Sequence, residues 1–324
     1  MVSWCSGYHT CFTSVTRNWS PVRSWQRPFL FGTFGLDRFE ADPTHGFTDY
    51  LSKEQSRKRN LTFVGAWDGV SYIMADREGV VGSGHRGRGS VRLRSRQALE
   101  ENVVVLIDLD HMPYGCGAWP AFWTTGLTNW PSLGEIDIIE GVHRQTQNAY
   151  TLHTTPGCNM PSRRYQLGSS KTTNCDVNAH GQWPNEGCSV SSSDRYASWG
   201  EAFNSQGGGV FGMRWTRTEG IAMWMWKRGN EPRRNTGKVN VGEWGIPDAN
   251  FPASPLCPIS QHFRSQHLIL NIAFCGDWAG QPSIWATSGC QLKALTCERS
   301  VSSGHDLEHV WWGVRSIEIY TKDE

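Results

Sequence analysis

The sequence contains no apolar run approaching the ~18 residues of a membrane-spanning helix, so insertion into a bilayer is not expected. It also lacks any imbalance of charge. A formal net charge of +1 provides no overall field with which to gather nucleic acid or anionic lipid, and neither is expected as a partner. Runs of strong helix formers are scarce, while 35 Gly and 15 Pro are spread through the chain, which points to strands and turns. There is no Cys-x-x-Cys and no cysteine–histidine pairing at zinc spacing, so neither a metal nor another cofactor is expected. Linkers, charge blocks, low-complexity tracts and fixed-period repeats are likewise absent, and one principal domain is the simplest organisation.

What the sequence does contain is cysteine and tryptophan. The ten cysteines fall at 5, 11, 116, 158, 175, 188, 257, 275, 290 and 297, an even number dispersed through loop-like sequence. Such a set reads as disulfides formed in an oxidising compartment. Asn18-Trp19-Ser20 and Asn60-Leu61-Thr62 are sequons for N-glycosylation. Against this, the N-terminal residues Met1-Val2-Ser3-Trp4-Cys5 show no apolar signal core or cleavage site. The cysteines weigh more, and a secreted protein, monomeric in solution, is expected. The 17 Trp exceed what core packing requires. Indoles lining a groove would stack on the C–H faces of a neutral polysaccharide.

Residues 1–27 lack clear periodicity and read as an irregular N-terminal extension, with a catalytic domain over 28–322. Within that domain, strand signals recur at 90–95, 102–109, 118–124, 135–140, 150–154, 209–215, 221–226, 267–273 and 314–320. Many short strands and few helices define an all-β sandwich or barrel. The long segment 156–187 holds Cys158 and Cys175, which would staple it. In the basic stretch 85–96, Val91 and Leu93 alternate with Arg92 and Arg94, as in a strand with one solvated face. Arg88 precedes that strand among glycines and could point into a groove.

The chemistry concentrates in Gly134-Glu135-Ile136-Asp137-Ile138-Ile139-Glu140-Gly141. Glycosidic hydrolysis in most families uses two carboxyl groups, one to protonate the leaving oxygen and one to attack or to activate water. A regular strand sets Glu135 and Asp137 on one face and turns Glu140 to the other. One extra residue at Ile138-Ile139, a β-bulge, returns Glu140 to the face of Glu135. Three neighbouring acids raise one another's pKa, a cost that a functional site explains better than a solvated edge strand does. Glu135 then reads as nucleophile, Glu140 as acid/base, protonated because its neighbours are ionised, and Asp137 as the residue that orients Glu135.

The flanking sequence resembles glycoside hydrolase family 16, in its fungal laminarinase-like branch. The matching segments include Asp42-Pro43-Thr44-His45-Gly46-Phe47, Gly87-Arg88-Gly89-Ser90, Cys116-Gly117-Ala118-Trp119-Pro120-Ala121-Phe122-Trp123, Asn129-Trp130-Pro131, the acidic motif, Thr151-Leu152-His153-Thr154 and Phe274-Cys275-Gly276-Asp277-Trp278. They keep their order over roughly 28–322. The resemblance implies a β-jelly-roll sandwich of the concanavalin A type, with a substrate cleft on its concave face. It implies a retaining endo-β-1,3(4)-glucanase, with Glu135 as nucleophile and Glu140 as acid/base. His153 matches a histidine near the carboxylates, and Trp119, Trp123, Trp130 and Trp278 match cleft aromatics. The Ile138-Ile139 spacing resembles laminarinases rather than the cell-wall transglycosylases with an unbulged motif. Cys5 and Cys11 have no counterpart, and the pairing of the other eight stays open. A glucan-binding protein without activity and a glucan transglycosylase are the alternatives on the same fold.

Overall fold

The structure, a computed structural model, describes residues 18–26, 33–37, 41–82, 84–232 and 237–322. Two antiparallel sheets pack face to face. The first has eight strands in the spatial order Ser169–Ser170, Cys188–Ser191, Ala149–His153, Glu135–Glu140, Ala118–Thr125, His267–Phe274, Arg92–Ser95 and Phe34–Leu36. The second has nine and runs through Val239–Asn240, Asn18–Gln26, Trp311–Lys322, Val103–His111, Gly209–Thr216, Gly220–Lys227 and Ala249–Phe251. The hairpin of Thr62–Val64 and Ser71–Met74 joins that path at Trp311–Lys322. All nine segments that carry strand signals in the sequence form strands here.

Period-two patterning explains the layering. Val103, Val105, Ile107 and Leu109 face Phe122, Ile136, Leu152, Leu268 and Leu270 across one continuous apolar core, and all are buried. The alternate residues of the eight-stranded sheet, Trp123, Glu135, Asp137 and His153 among them, turn to its open face. A smaller apolar cluster lies on the other side of the nine-stranded sheet. It joins Trp19, Val104, Leu106, Val210, Trp224, Val239, Trp244 and Tyr320.

That second cluster corrects the N-terminal boundary. Asn18–Gln26 is no irregular extension but a strand paired along Trp311–Lys322, and Trp19 is 1% exposed. Its partner lies almost 300 residues away in sequence, roughly the whole chain, and nothing local in 18–26 signals the pairing. The rest of the stretch 1–17, with Cys5 and Cys11, lies outside the described residues.

The other eight cysteines form four disulfides, Cys116–Cys290, Cys158–Cys257, Cys175–Cys188 and Cys275–Cys297. Two of them tie the helical segment 276–303 to the ends of the strands Ala118–Thr125 and His267–Phe274. The other two staple the long 156–187 segment, as its length demanded. No helix among the described residues is long and apolar enough to cross a membrane.

Replacing Cys158 and Cys257 together by Ala should lower unfolding free energy by about 2–5 kcal/mol, read from the denaturant midpoint under non-reducing conditions. An unchanged midpoint would mean that hydrogen bonds alone hold the 156–187 segment.

Candidate active site

The site is built on the central strand Glu135–Glu140. On one side, Asp137 pairs with Trp123, Ile139 with Phe122 and Glu140 with Ala121; on the other, Asp137 pairs with Thr151 and Glu140 with Ala149. Two residues, Ile138 and Ile139, therefore oppose one, which is a β-bulge at the place the pleat argument requires. Both isoleucines are buried, at 1% and 0% exposure, and Glu140 returns to the face of Glu135 and Asp137. The strand begins after Gly134, whose φ is 77°, and a Cβ there would lie 2.6 Å from the His262 carbonyl.

Each glutamate holds an indole. Trp130 Nε1 donates to Glu135 Oε2 at 2.8 Å, and Trp119 Nε1 donates to Glu140 Oε1 at 2.9 Å. His153 Nε2 lies 3.1 Å from Asp137 Oδ2 and 3.8 Å from Glu135 Oε1. Register accounts for this, because His153 pairs directly with Glu135. Trp278 meets Trp119 edge to face at 5.9 Å, and Trp130 is tilted against the His153 ring at 6.4 Å. Glu135, Asp137 and His153 each bring one ligand atom to within 4.8 Å of the others, so these are the residues that could also grasp a divalent cation.

Burial governs the protonation of the trio. It pushes Glu135 and Glu140 each up to about 8, with repulsion from Asp137 second, and it holds Asp137 well above the usual carboxylate range. Neighbouring charge, expected from the sequence to keep Glu140 protonated, is only the second cause. Loss of water is the larger cause, and it acts on all three acids. The indole donors and His153 act in the opposite sense on both glutamates, favouring their ionised forms.

Two arginines depart from expectation. Arg88 does not reach a groove. It is fully buried, and its guanidinium donates to the carbonyls of Val301, Asp76, Glu78, Gly79 and Ser302. Its five N–H groups are thus committed to the backbone, locking the end of the helix Cys297–Ser303 to the 76–79 loop. Arg92 leaves the solvated face assigned to it: it is 9% exposed, with its guanidinium 4.7 Å over the Trp123 ring. The strand Arg92–Ser95 lies inside the sheet rather than at its edge, so its polar face continues the floor of the site. Asp37 receives Arg94 Nε at 2.8 Å and lies 3.6 Å from Arg92 Nε. Sequence reasoning also missed Asn271, which accepts from Trp123 Nε1 at 2.8 Å and donates to the Tyr50 hydroxyl at 3.0 Å. A lone polar residue inside the apolar run His267–Phe274 was the available signal.

A β sandwich carrying two glutamates brought to one face by a bulge, each with an indole donor, has the composition of a two-carboxylate glycosidase site. A family model described as the XgeA-like catalytic domain of glycoside hydrolase family 16 matches residues 38–320. The chain belongs to that family. It is 40% identical over 283 residues to an endo-1,3(4)-β-glucanase of Arthroderma benhamiae, covering 86% of this chain and 60% of the relative. A probable glycosidase of Schizosaccharomyces pombe is 40% identical over 307 residues, covering 94% of this chain and 70% of that one. Laminarinase 16A of Phanerochaete chrysosporium, solved with β-glucans in donor and acceptor sites, superposes with a TM-score of 0.87 at 36% identity, over 94% of this chain and all of the other. An elongating family 16 β-1,3-glucosyltransferase superposes at 0.84 and 34% identity, with coverage of 94% and 100%. These matches establish the jelly-roll fold.

A carboxyl with a raised folded-state pKa costs stability once it must ionise. The cost is absent below its ordinary value of 4.5 and grows as pH rises toward 8. Glu140→Gln removes it, so the melting temperature of this variant relative to the parent should climb by several degrees between about pH 5 and about pH 8. A constant difference across that range would show that Glu140 ionises without penalty.

Proposed function

We propose that the protein is a retaining endo-β-1,3(4)-glucanase that hydrolyses laminarin-type β-1,3-glucan or mixed-linkage β-glucan. The single observation that carries this reading is the bulge at Ile138–Ile139, which puts Glu140 on the same face as Glu135. Glu135 works as the anion, facing the Trp130 N–H at 2.8 Å and His153 at 3.8 Å, and Glu140 holds the proton. Glu135 attacks the anomeric carbon as Glu140 delivers its proton to the departing glycosidic oxygen, leaving a covalent glycosyl-enzyme. Water then attacks the same carbon, giving its proton to Glu140 and releasing Glu135. Asp137 orients Glu135 and helps set the proton balance of the pair. His153 Nε2 faces Asp137 Oδ2 at 3.1 Å from the adjoining strand.

The partly exposed indoles of Trp119, Trp123, Trp130 and Trp278 supply the apolar floor on which glucose rings stack. The names of the relatives support this substrate class. Because the chain spans 60% of the Arthroderma relative, the activity is proposed for the catalytic domain, which extends from Asn18 through the strand Trp311–Lys322. Four disulfides support an extracellular location, and exposed Asn60, in a turn beside Leu61 and Thr62, suits N-glycosylation. We take the working form to be a monomer.

In a reducing-sugar assay on laminarin, Glu135→Gln and Glu140→Gln should each cut turnover by about 10²–10⁴ or more. Full activity in both would end this reading. A second reading, transfer of the glycosyl group to another sugar instead of water, is favoured by the likeness to the elongating glucosyltransferase. Oligosaccharides longer than the substrate would mark it.

A further inference from the structure

A bulge saves the placement of Glu140 at the cost of broken strand pairing. The ladder to Ala149–His153 runs from Asp137↔Thr151 to Glu140↔Ala149, and the backbone between must bond elsewhere or remain orphaned in a buried setting. One side chain meets both needs. Asn148, 1% exposed, donates from Nδ2 to the Ile138 carbonyl at 3.0 Å and accepts on Oδ1 from the Glu140 N–H at 3.0 Å. Its two hydrogen bonds bracket the extra residue.

The clasp has one orientation, because turning the carboxamide over would set donor against donor and acceptor against acceptor. Its own backbone is fixed on both sides. The Asn148 N–H donates to Ser198 Oγ at 3.0 Å, and its carbonyl accepts from the Ser192 N–H at 3.0 Å. Ser198 Oγ is bonded in turn to the Asp194 carbonyl at 2.6 Å, and Asp248 gathers Ser192 and the Tyr150 hydroxyl. A buried polar network thus extends from the loop 192–198 to the peptide that carries Glu140.

We infer that Asn148 is a positioning residue for the acid/base: by clasping the bulge, it selects the register in which Glu140 reaches the open face and meets the Trp119 N–H. The inference rests on the assignment of Glu140 made above. Glu140 serves twice, as acid to the leaving oxygen and as base to the attacking water, so formation of the glycosyl-enzyme from a substrate whose leaving group needs no proton is the step that its misplacement spares.

The test compares two substrates in Asn148→Ala. On laminarin, whose leaving sugar needs protonation, kcat should fall by about 10–100-fold with KM within about 3-fold, as for a misplacement near 1 Å. On 2,4-dinitrophenyl β-laminaribioside, whose leaving group needs none, the single-turnover burst should stay within about 3-fold of the parent. Equal losses on both substrates, or no loss on either, would overturn the inference. If Asn148→Ala does not fold by circular dichroism, Asn148→Asp serves: it keeps the shape and the acceptor for Glu140 but sets an oxygen against the Ile138 carbonyl, and the same split is expected. An unsubstituted protein inactive on laminarin would instead overturn the glucanase reading.

Discussion

Everything in the site depends on one departure from strand geometry. Side chains on a strand alternate with period two, so acids at positions 135, 137 and 140 cannot share a face on a regular ladder. The extra residue at Ile138–Ile139 resolves the conflict, and its surroundings show how the resolution is held. The two isoleucines go into the core, where they fix the depth of the strand, and the interrupted ladder is completed by a side chain instead of a neighbouring backbone. Bulges next to reactive groups are common because they re-aim a side chain without ending the sheet.

The second constraint is the burial of three acids together. Burial drives all three toward the neutral form, and the surroundings partly oppose it at the two glutamates, with an indole N–H donor to each and His153 beside them. Double displacement needs one carboxyl to hold a proton beside another that has lost it, and burial supplies the first of these. The frame around the trio is correspondingly rigid. Trp119, which touches Glu140, is backed by Trp278 on a helical segment fastened by two disulfides. The same segment is tied to the 76–79 loop by Arg88, which donates to two carbonyls of the one and three of the other.

Local patterns made much of this legible in the sequence. Short apolar and alternating runs between turn signals located nine of the strands, and the acid spacing located the bulge, because both follow from one residue and its near neighbours. What stayed hidden depends on partners remote in sequence. Asn18–Gln26 becomes a strand only because Trp311–Lys322 lies beside it. Arg92 leaves solvent only because Trp123 and Asp37 come to it from other strands. Arg88 carries the same charge and glycine context as a groove residue, yet turns inward to carbonyls of the Cys297–Ser303 helix. Cysteine pairing could not be read at all, since eight cysteines permit about 105 arrangements.

The division of roles between the two glutamates is the centre of the functional reading, and covalent trapping examines it directly. Incubation with a 2-deoxy-2-fluoro-β-laminaribiosyl fluoride, followed by peptide mapping by mass spectrometry, should find the fluorosugar ester-linked to Glu135 alone, because the 2-fluorine slows both formation and hydrolysis of the intermediate while the fluoride leaving group restores the rate of formation only, so the ester accumulates. A label on Glu140, or inactivation of the enzyme without any labelled carboxylate, would contradict the assignment and with it the purpose given to the bulge.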